Sequence, residues 1–165
     1  MIIVSNSSPL ITFARISLFR LLHRLFVDVL IPEQVYNEVV VKGAGQPGAL
    51  EAQRASWIQV KSIADTTLFA LWRSSYNLGE GEIATIILAK EVSADLALID
   101  ERKARLLAKS EGLEVIGSVG LLEECCRRGH VTDLRQTYQE LLSKGIWIDR
   151  RVLDQSLLSF NLPPL

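Results

Sequence analysis

Short runs of consecutive apolar residues alternate along the chain with stretches where apolar positions recur every three or four residues. The runs Ile2–Val4, Val27–Ile31, Trp57–Val60, Leu96–Ile99 and Glu114–Ile116 have the length and β-branched content of buried strands. Between the first two, Leu10, Ile11, Ala14, Leu18, Leu21, Leu22 and Leu25 follow a helical period with a break near Ser17. Ser8-Pro9 suits the cap and first position of that helix. Pro32 opens a second helical pattern through Val35, Tyr36, Val39 and Val40. Leu68–Tyr76, Glu80–Lys90, Lys103–Ser110 and Val119–Arg128 read as further helices. Two more, near Thr132–Ser143 and Val152–Phe160, flank a short apolar Ile146–Ile148 segment.

Fully apolar strands separated by helices predict an α/β protein, with a mostly parallel sheet covered on both faces. Functional residues are then expected beyond the carboxyl ends of the strands. No repeat, low-complexity tract or long linker divides the chain, so residues 1–165 read as one domain, with a core over about 1–128 and a helical segment over about 132–160. Gly43-Ala44-Gly45-Gln46-Pro47-Gly48 spells GxGxxG but follows a helical pattern instead of a strand. It reads as a helix stop and loop, without the strand-to-helix setting a pyrophosphate site needs.

Apolar residues are 48% of the chain and charged ones 22%, which excludes a disordered or collagen-like protein. The formal net charge of −1 gives no basic or acidic tail, so any nucleic-acid contact must come from a local patch. No apolar stretch is long enough for a membrane span. The N-terminus reads as a strand and not as a signal peptide. Cys125 and Cys126 are adjacent in a helical pattern without zinc-site spacing, and a reduced cytoplasmic protein is expected. Trp57, Trp72 and Trp147 read as core or interface anchors, and His23 and His130 receive no role.

Oxygen-bearing side chains recur at strand ends. Asn6 follows the first strand, and Asp100 follows Leu96–Ile99 in the same topological position. Glu38 lies in the helix after the second strand, while Glu80 and Glu82 open the helix before the fourth. In an open parallel sheet these segments can converge at one edge. Such donors suit hard divalent cations, Mg²⁺ or Mn²⁺, and the hydrolysis of phosphodiesters. Each residue also has a plain structural reading. Asp100 can cap the following helix, Asn6 can make an Asx turn, Glu80 and Glu82 can favour a helix dipole, and Glu38 can sit on an exposed helix face.

Ser5-Asn6-Ser7-Ser8-Pro9-Leu10-Ile11 and Ile31-Pro32-Glu33-Gln34-Val35-Tyr36-Asn37-Glu38-Val39 resemble the opening of a PIN-domain protein. Gly79-Glu80-Gly81-Glu82-Ile83-Ala84, Leu98-Ile99-Asp100-Glu101-Arg102-Lys103-Ala104-Arg105 and Val115-Ile116-Gly117-Ser118-Val119-Gly120-Leu121-Leu122 continue the resemblance in order. The nearest branch is the prokaryotic one related to VapC toxins. The resemblance implies a three-layer α/β/α fold with a central parallel sheet of order 3-2-1-4-5. It further implies a metal-dependent endoribonuclease with Mg²⁺ or Mn²⁺ held at Asn6, Glu38, Glu82 and Asp100, Glu80 being an alternative to Glu82. An RNA substrate, a small antitoxin protein and a homodimer belong to the same expectation.

The chain departs from the family pattern at Asn6, an amide where relatives carry an acid. An amide offers a carbonyl oxygen but no charge, and it cannot serve as a base. That departure leaves a second reading open, a catalytically weak or inactive PIN-like module that binds nucleic acid or protein. A different metal-dependent phosphatase of doubly wound topology ranks below both. Arg102, Lys103 and Arg105 after Asp100, and Arg15 on the first helix, are candidate phosphate contacts. Arg20 and Arg24 read as a solvated face, and Arg127 and Arg128 as favourable charges at a helix C-terminus.

Overall fold

The computed structural model describes residues 1–165. Its five strands are β1 (Ile3–Ser5), β2 (Val29–Pro32), β3 (Ile58–Lys61), β4 (Leu96–Leu98) and β5 (Val115–Ile116). They form one sheet of order β3-β2-β1-β4-β5, and every neighbouring pair is parallel. This is the expected order. The central pair is in register at Ile3–Leu96, Val4–Ala97 and Ser5–Leu98, which brings the carboxyl ends of β1 and β4 side by side.

Alternation along the short strands divides the interior into two cores. Ile3, Val29, Ile31 and Leu98 face one side, where α1 (Ser7–Arg15), α2 (Phe19–Leu25) and α8 (Ser118–Arg127) pack. Val4, Ala97 and Ile99 face the other, where α5 (Thr66–Ser75), α6 (Glu80–Glu91) and α7 (Arg102–Ser110) pack. The architecture is therefore three layers, α/β/α. Helix α6 is buried from Ile83 to Ala89 without interruption, so it has apolar residues all round and no polar stripe.

Helix α3 (Glu33–Tyr36) runs straight into a π-helical turn over Asn37–Val41, closed by the Lys42 amide donating to the Asn37 carbonyl at 2.8 Å. Such turns are inserted where a side chain must be re-aimed, and they concentrate at functional sites. After the glycine loop comes α4 (Ala49–Arg54), a short helix absent from the periodicity because its apolar face is only two alanines deep. The GxGxxG segment lies between that helix and the π turn, away from any strand end.

Several boundaries move. Helix α1 begins at Ser7 with its cap at Asn6, two positions earlier than the Ser8-Pro9 reading, so Pro9 sits inside the first turn, where its missing N–H costs nothing. The break at Ser17 is real and is made by a left-handed backbone with φ of 60°. Val27 is exposed and precedes β2, and Ile146–Ile148 forms no strand. There Ile146 and Ile148 turn onto the core and leave Trp147 at 89% exposure, so Trp147 anchors nothing within this chain. Trp57 and Trp72 are buried as expected. Both cysteines are free, and burial pushes the Cys125 thiol up to about 11.

Helices α9 (Leu134–Ser143) and α10 (Arg150–Ser159) complete the first core with Tyr138, Leu141, Leu153 and Leu157. A buried polar chain docks them. Tyr138 and Ser156 hydroxyls lie 2.6 Å apart, and Ser156 donates to Glu123 of α8 at 2.6 Å. Ser156→Ala strands the Tyr138 hydroxyl in the core and should cost about 1–3 kcal/mol. Tyr138→Phe removes the group itself and should cost only about 0.5–1.5 kcal/mol. Urea denaturation of the two variants checks this order; a larger loss in Tyr138→Phe would contradict it.

Candidate functional site

The ladder between β1 and β4 extends one residue past the strands, with the Asn6 amide donating to the Leu98 carbonyl at 3.0 Å. Asn6 thus leaves the sheet beside Ile99 and Asp100. It occupies the cap position of α1 but makes no capping bond, which removes the Asx-turn reading. Asn6 is 3% exposed, and its Oδ1 has no hydrogen-bond partner, a state shared in this protein only by Gln34 Oε1. Buried carbonyl oxygens are rarely left unpaired, because the lost hydration is not returned.

Glu38 reaches the same edge from the π turn. Its Oε1 accepts from the Gly81 amide at 3.0 Å, and its Oε2 accepts from the Ser7 hydroxyl at 2.5 Å. One carboxylate therefore ties the start of α1 to the first turn of α6. A Cβ on Gly81 would stand 2.5–2.8 Å from the Glu38 carboxyl atoms. Only glycine at position 81 permits the approach. Glu38 is no bystander on an exposed helix face.

Glu82 folds back on its own helix end and accepts from the Gly79 amide at 2.8 Å. Burial raises its pKa above the ordinary carboxylate value and the Gly79 bond lowers it, while the charges of Glu101 and Glu38 raise it further. Glu80 points elsewhere, paired with Arg73 at 2.7 Å on the surface. Asp100 does not cap α7. Glu101 does, accepting from the Ala104 amide at 2.7 Å. Both Asp100 oxygens go instead to Ser118 at the start of α8, from the amide at 2.6 Å and the hydroxyl at 2.7 Å.

Asn6 and Asp100 thus leave the adjacent ends of β1 and β4, Glu38 reaches Ser7 next to Asn6, and Glu82 lies where the charges of Glu101 and Glu38 act on it. They do not form a closed cage, since no three acidic, histidine or cysteine side chains stand ready to hold an ion among themselves. The donors still fit a hard divalent cation. All are oxygens, one is an orphaned buried carbonyl, and the charges of Glu101 and Glu38 add to burial in disfavouring the Glu82 anion. A Mg²⁺-type ion needs only one or two protein carboxylates when water and phosphate complete its shell.

Sequence reasoning missed Glu101, Ser7, Ser118, Gly81 and Gly117. The hydroxyls hold carboxylates in place, and the glycines make room for them; a Cβ on Gly117 would fall 3.0 Å from Asp100 Oδ1. A signal existed only for Glu101, which lies three residues before Ala104 as a capping carboxylate should. His23, left without a role, stacks on Trp57 with ring centroids 5.3 Å apart. Arg127 and Arg128 pair with Glu123 and Glu124 within or beside α8.

The raised Glu82 pKa has a stability consequence. The folded chain holds that proton more tightly than the unfolded chain, so the contribution is favourable at low pH and is lost as pH rises through the folded value. Glu82→Gln keeps an acceptor for Gly79 and removes the charge. Without divalent ions it should melt above the wild type at pH 7, with the gap closing near about pH 4. Thermal denaturation across that range checks it, and a Glu82→Gln protein less stable than the wild type at pH 7 would contradict the charge crowding.

The chain has no helix long and apolar enough to cross a membrane. No curated protein matches it significantly. Residues 2–161 match the family model of the PIN domain, nearly the whole length, over the sheet order and the acid-bearing edge just described. The chain belongs to the PIN-domain family, whose fold is of nuclease type.

Proposed function

We propose that this protein is a metal-dependent endoribonuclease of the VapC-like kind, hydrolysing RNA phosphodiesters at the carboxyl edge of β1 and β4. The observation that carries the reading is Asn6 Oδ1, buried without a partner one residue before the Ser7 that, with Gly81, clasps the Glu38 carboxylate. Asn6, Glu38, Glu82 and Asp100 would hold Mg²⁺ or Mn²⁺. What such an ion supplies when bound is activation of water and screening of phosphate charge.

The chain's own residues have separable tasks. Ser7 and Gly81 fix the orientation of Glu38, so its charge is presented without a search through rotamers. Ser118 does the same for Asp100. Asn6 contributes an oxygen and no charge. Glu82, whose anion is disfavoured by burial and by its neighbours, is relieved by a cation or by a proton held on its carboxylate. The VapC-like reading carries with it a small antitoxin partner and a homodimer in the cytoplasm.

Mn²⁺ should raise the melting temperature of the wild type, because an ion that binds only the folded chain stabilises it by mass action. Cleavage of single-stranded RNA with Mn²⁺ should fall about 10²-fold or more in Glu38→Gln and Asp100→Asn, the scale of losing one preorganised electrostatic contact. Equal cleavage by all three proteins would overturn the site. Asn6→Asp restores a fourth anion and should enlarge both the Mn²⁺ response and the rate. A flat Mn²⁺ response in wild type and Asn6→Asp alike would favour the binding-module reading, which the neutral Asn6 and the open arrangement of acids otherwise support.

Gly81→Ala removes no donor, yet its methyl group must displace the Glu38 carboxylate. The Mn²⁺-induced rise in melting temperature should shrink to that of Glu38→Gln. An undiminished rise would show that the clasp on Glu38 is not part of the ion's site.

A further inference from the structure

The carboxylates of Glu38, Glu82 and Asp100 at one edge repel a polyanion, so an edge that takes phosphodiesters needs a fixed positive charge close by. Arg105 supplies one. It lies in the second turn of α7, and its side chain runs back toward the helix start, as helical side chains do. There Nη1 donates to the Ile99 carbonyl at 3.0 Å, at the end of β4. A Cβ on Gly117 would stand 2.7 Å from that same Nη1 and 3.0 Å from Asp100 Oδ1, so guanidinium and carboxylate rest against one glycine.

Despite this closeness, Arg105 forms no ion pair with Asp100, and unlike the exposed unpaired Arg20, Arg24 and Arg54 it is half-buried at a strand end. The two Asp100 oxygens are taken by Ser118. Of the five guanidinium N–H donors, one is used on the Ile99 carbonyl, and the group is half-buried. The first turn of α7 adds to the imbalance, with Arg102 and Lys103 at the positive end of the helix dipole and no acid in that turn. Arg102, Lys103 and Arg105 put three cations within four residues behind the capping Glu101, none of them in an ion pair, a charge set suited to an anionic ligand.

We infer that Arg105 is a phosphate-binding residue, gripping a backbone phosphate of single-stranded RNA next to the acidic edge, while the exposed Arg102 and Lys103 add charge along its approach. The guanidinium fork matches two phosphate oxygens, which an ammonium cannot do. The inference rests on the nuclease reading, since that reading makes this edge a place for phosphodiesters.

The test is fluorescence anisotropy with a labelled single-stranded RNA oligonucleotide, in EDTA, over a range of salt, with cleavage in Mn²⁺ followed separately. Arg105→Ala should weaken binding about tenfold or more and flatten the slope of log K against log salt by about 0.7. Arg105→Lys should keep the slope and recover only part of the affinity. Gly117→Ala keeps every charge but dislodges the guanidinium, so affinity should fall with the slope unchanged. Unchanged affinity and slope in Arg105→Ala, a loss that Arg102→Ala equals, or a wild type that does not bind RNA at low salt overturns the inference. Cleavage by the wild type together with normal binding by Arg105→Ala would overturn it and leave the nuclease reading standing. Binding that depends on Arg105 in a wild type that does not cleave would overturn the nuclease reading instead.

Discussion

The clasp on Glu38 holds the edge of this protein together. One carboxylate accepts from the Ser7 hydroxyl just past β1 and from the Gly81 amide at the start of α6, while its own backbone lies in a π turn after β2. Three segments distant in sequence are pinned at a single group. The arrangement demands glycine at position 81, and it places a negative charge where Glu82 feels it. The chain accepts this cost beside a core that is almost wholly apolar. That concentration of unfavourable charge is intelligible if a cation belongs there.

The same edge shows a division of labour between holding and presenting. Serines and backbone amides at helix starts orient the acids, and glycines at 81 and 117 keep the backbone out of their way. The acids do not close on one point by themselves. Under the proposed reading, water and substrate oxygens would complete the coordination shell of an ion that meets a phosphate at such an open site. Arg105 sits across Asp100 as the positive counterpart, bonded to a strand-end carbonyl and not to any acid.

Much of the fold was legible because it depends on local patterns. Apolar runs and 3.6-residue periods located all five strands and every helix but α4, whose two buried alanines carry too weak a signal. The boundary errors have simple causes. Val27 is apolar but exposed, so composition drew β2 too far back. Asp100 and Glu101 are both acceptable caps for α7, and only the direction of each side chain separates them. Trp147 could be core or interface by composition, and only the inward turn of its neighbours on either side takes it out of this chain's core.

The sequence by itself determined that the chain builds a layered α/β protein with acids and an amide just beyond its strand ends. Those features follow from periodicity and from position, and both are written locally. Which acids meet was decided by tertiary structure. Glu80 and Glu82 are two residues apart, yet one turns to Arg73 on the surface and the other to the crowded edge. The orphaned Asn6 oxygen and the Arg105 guanidinium held at the end of β4 are likewise properties of surroundings assembled from remote segments. Burial and charge–charge coupling are set by distances in space, and no spacing along the chain encodes them.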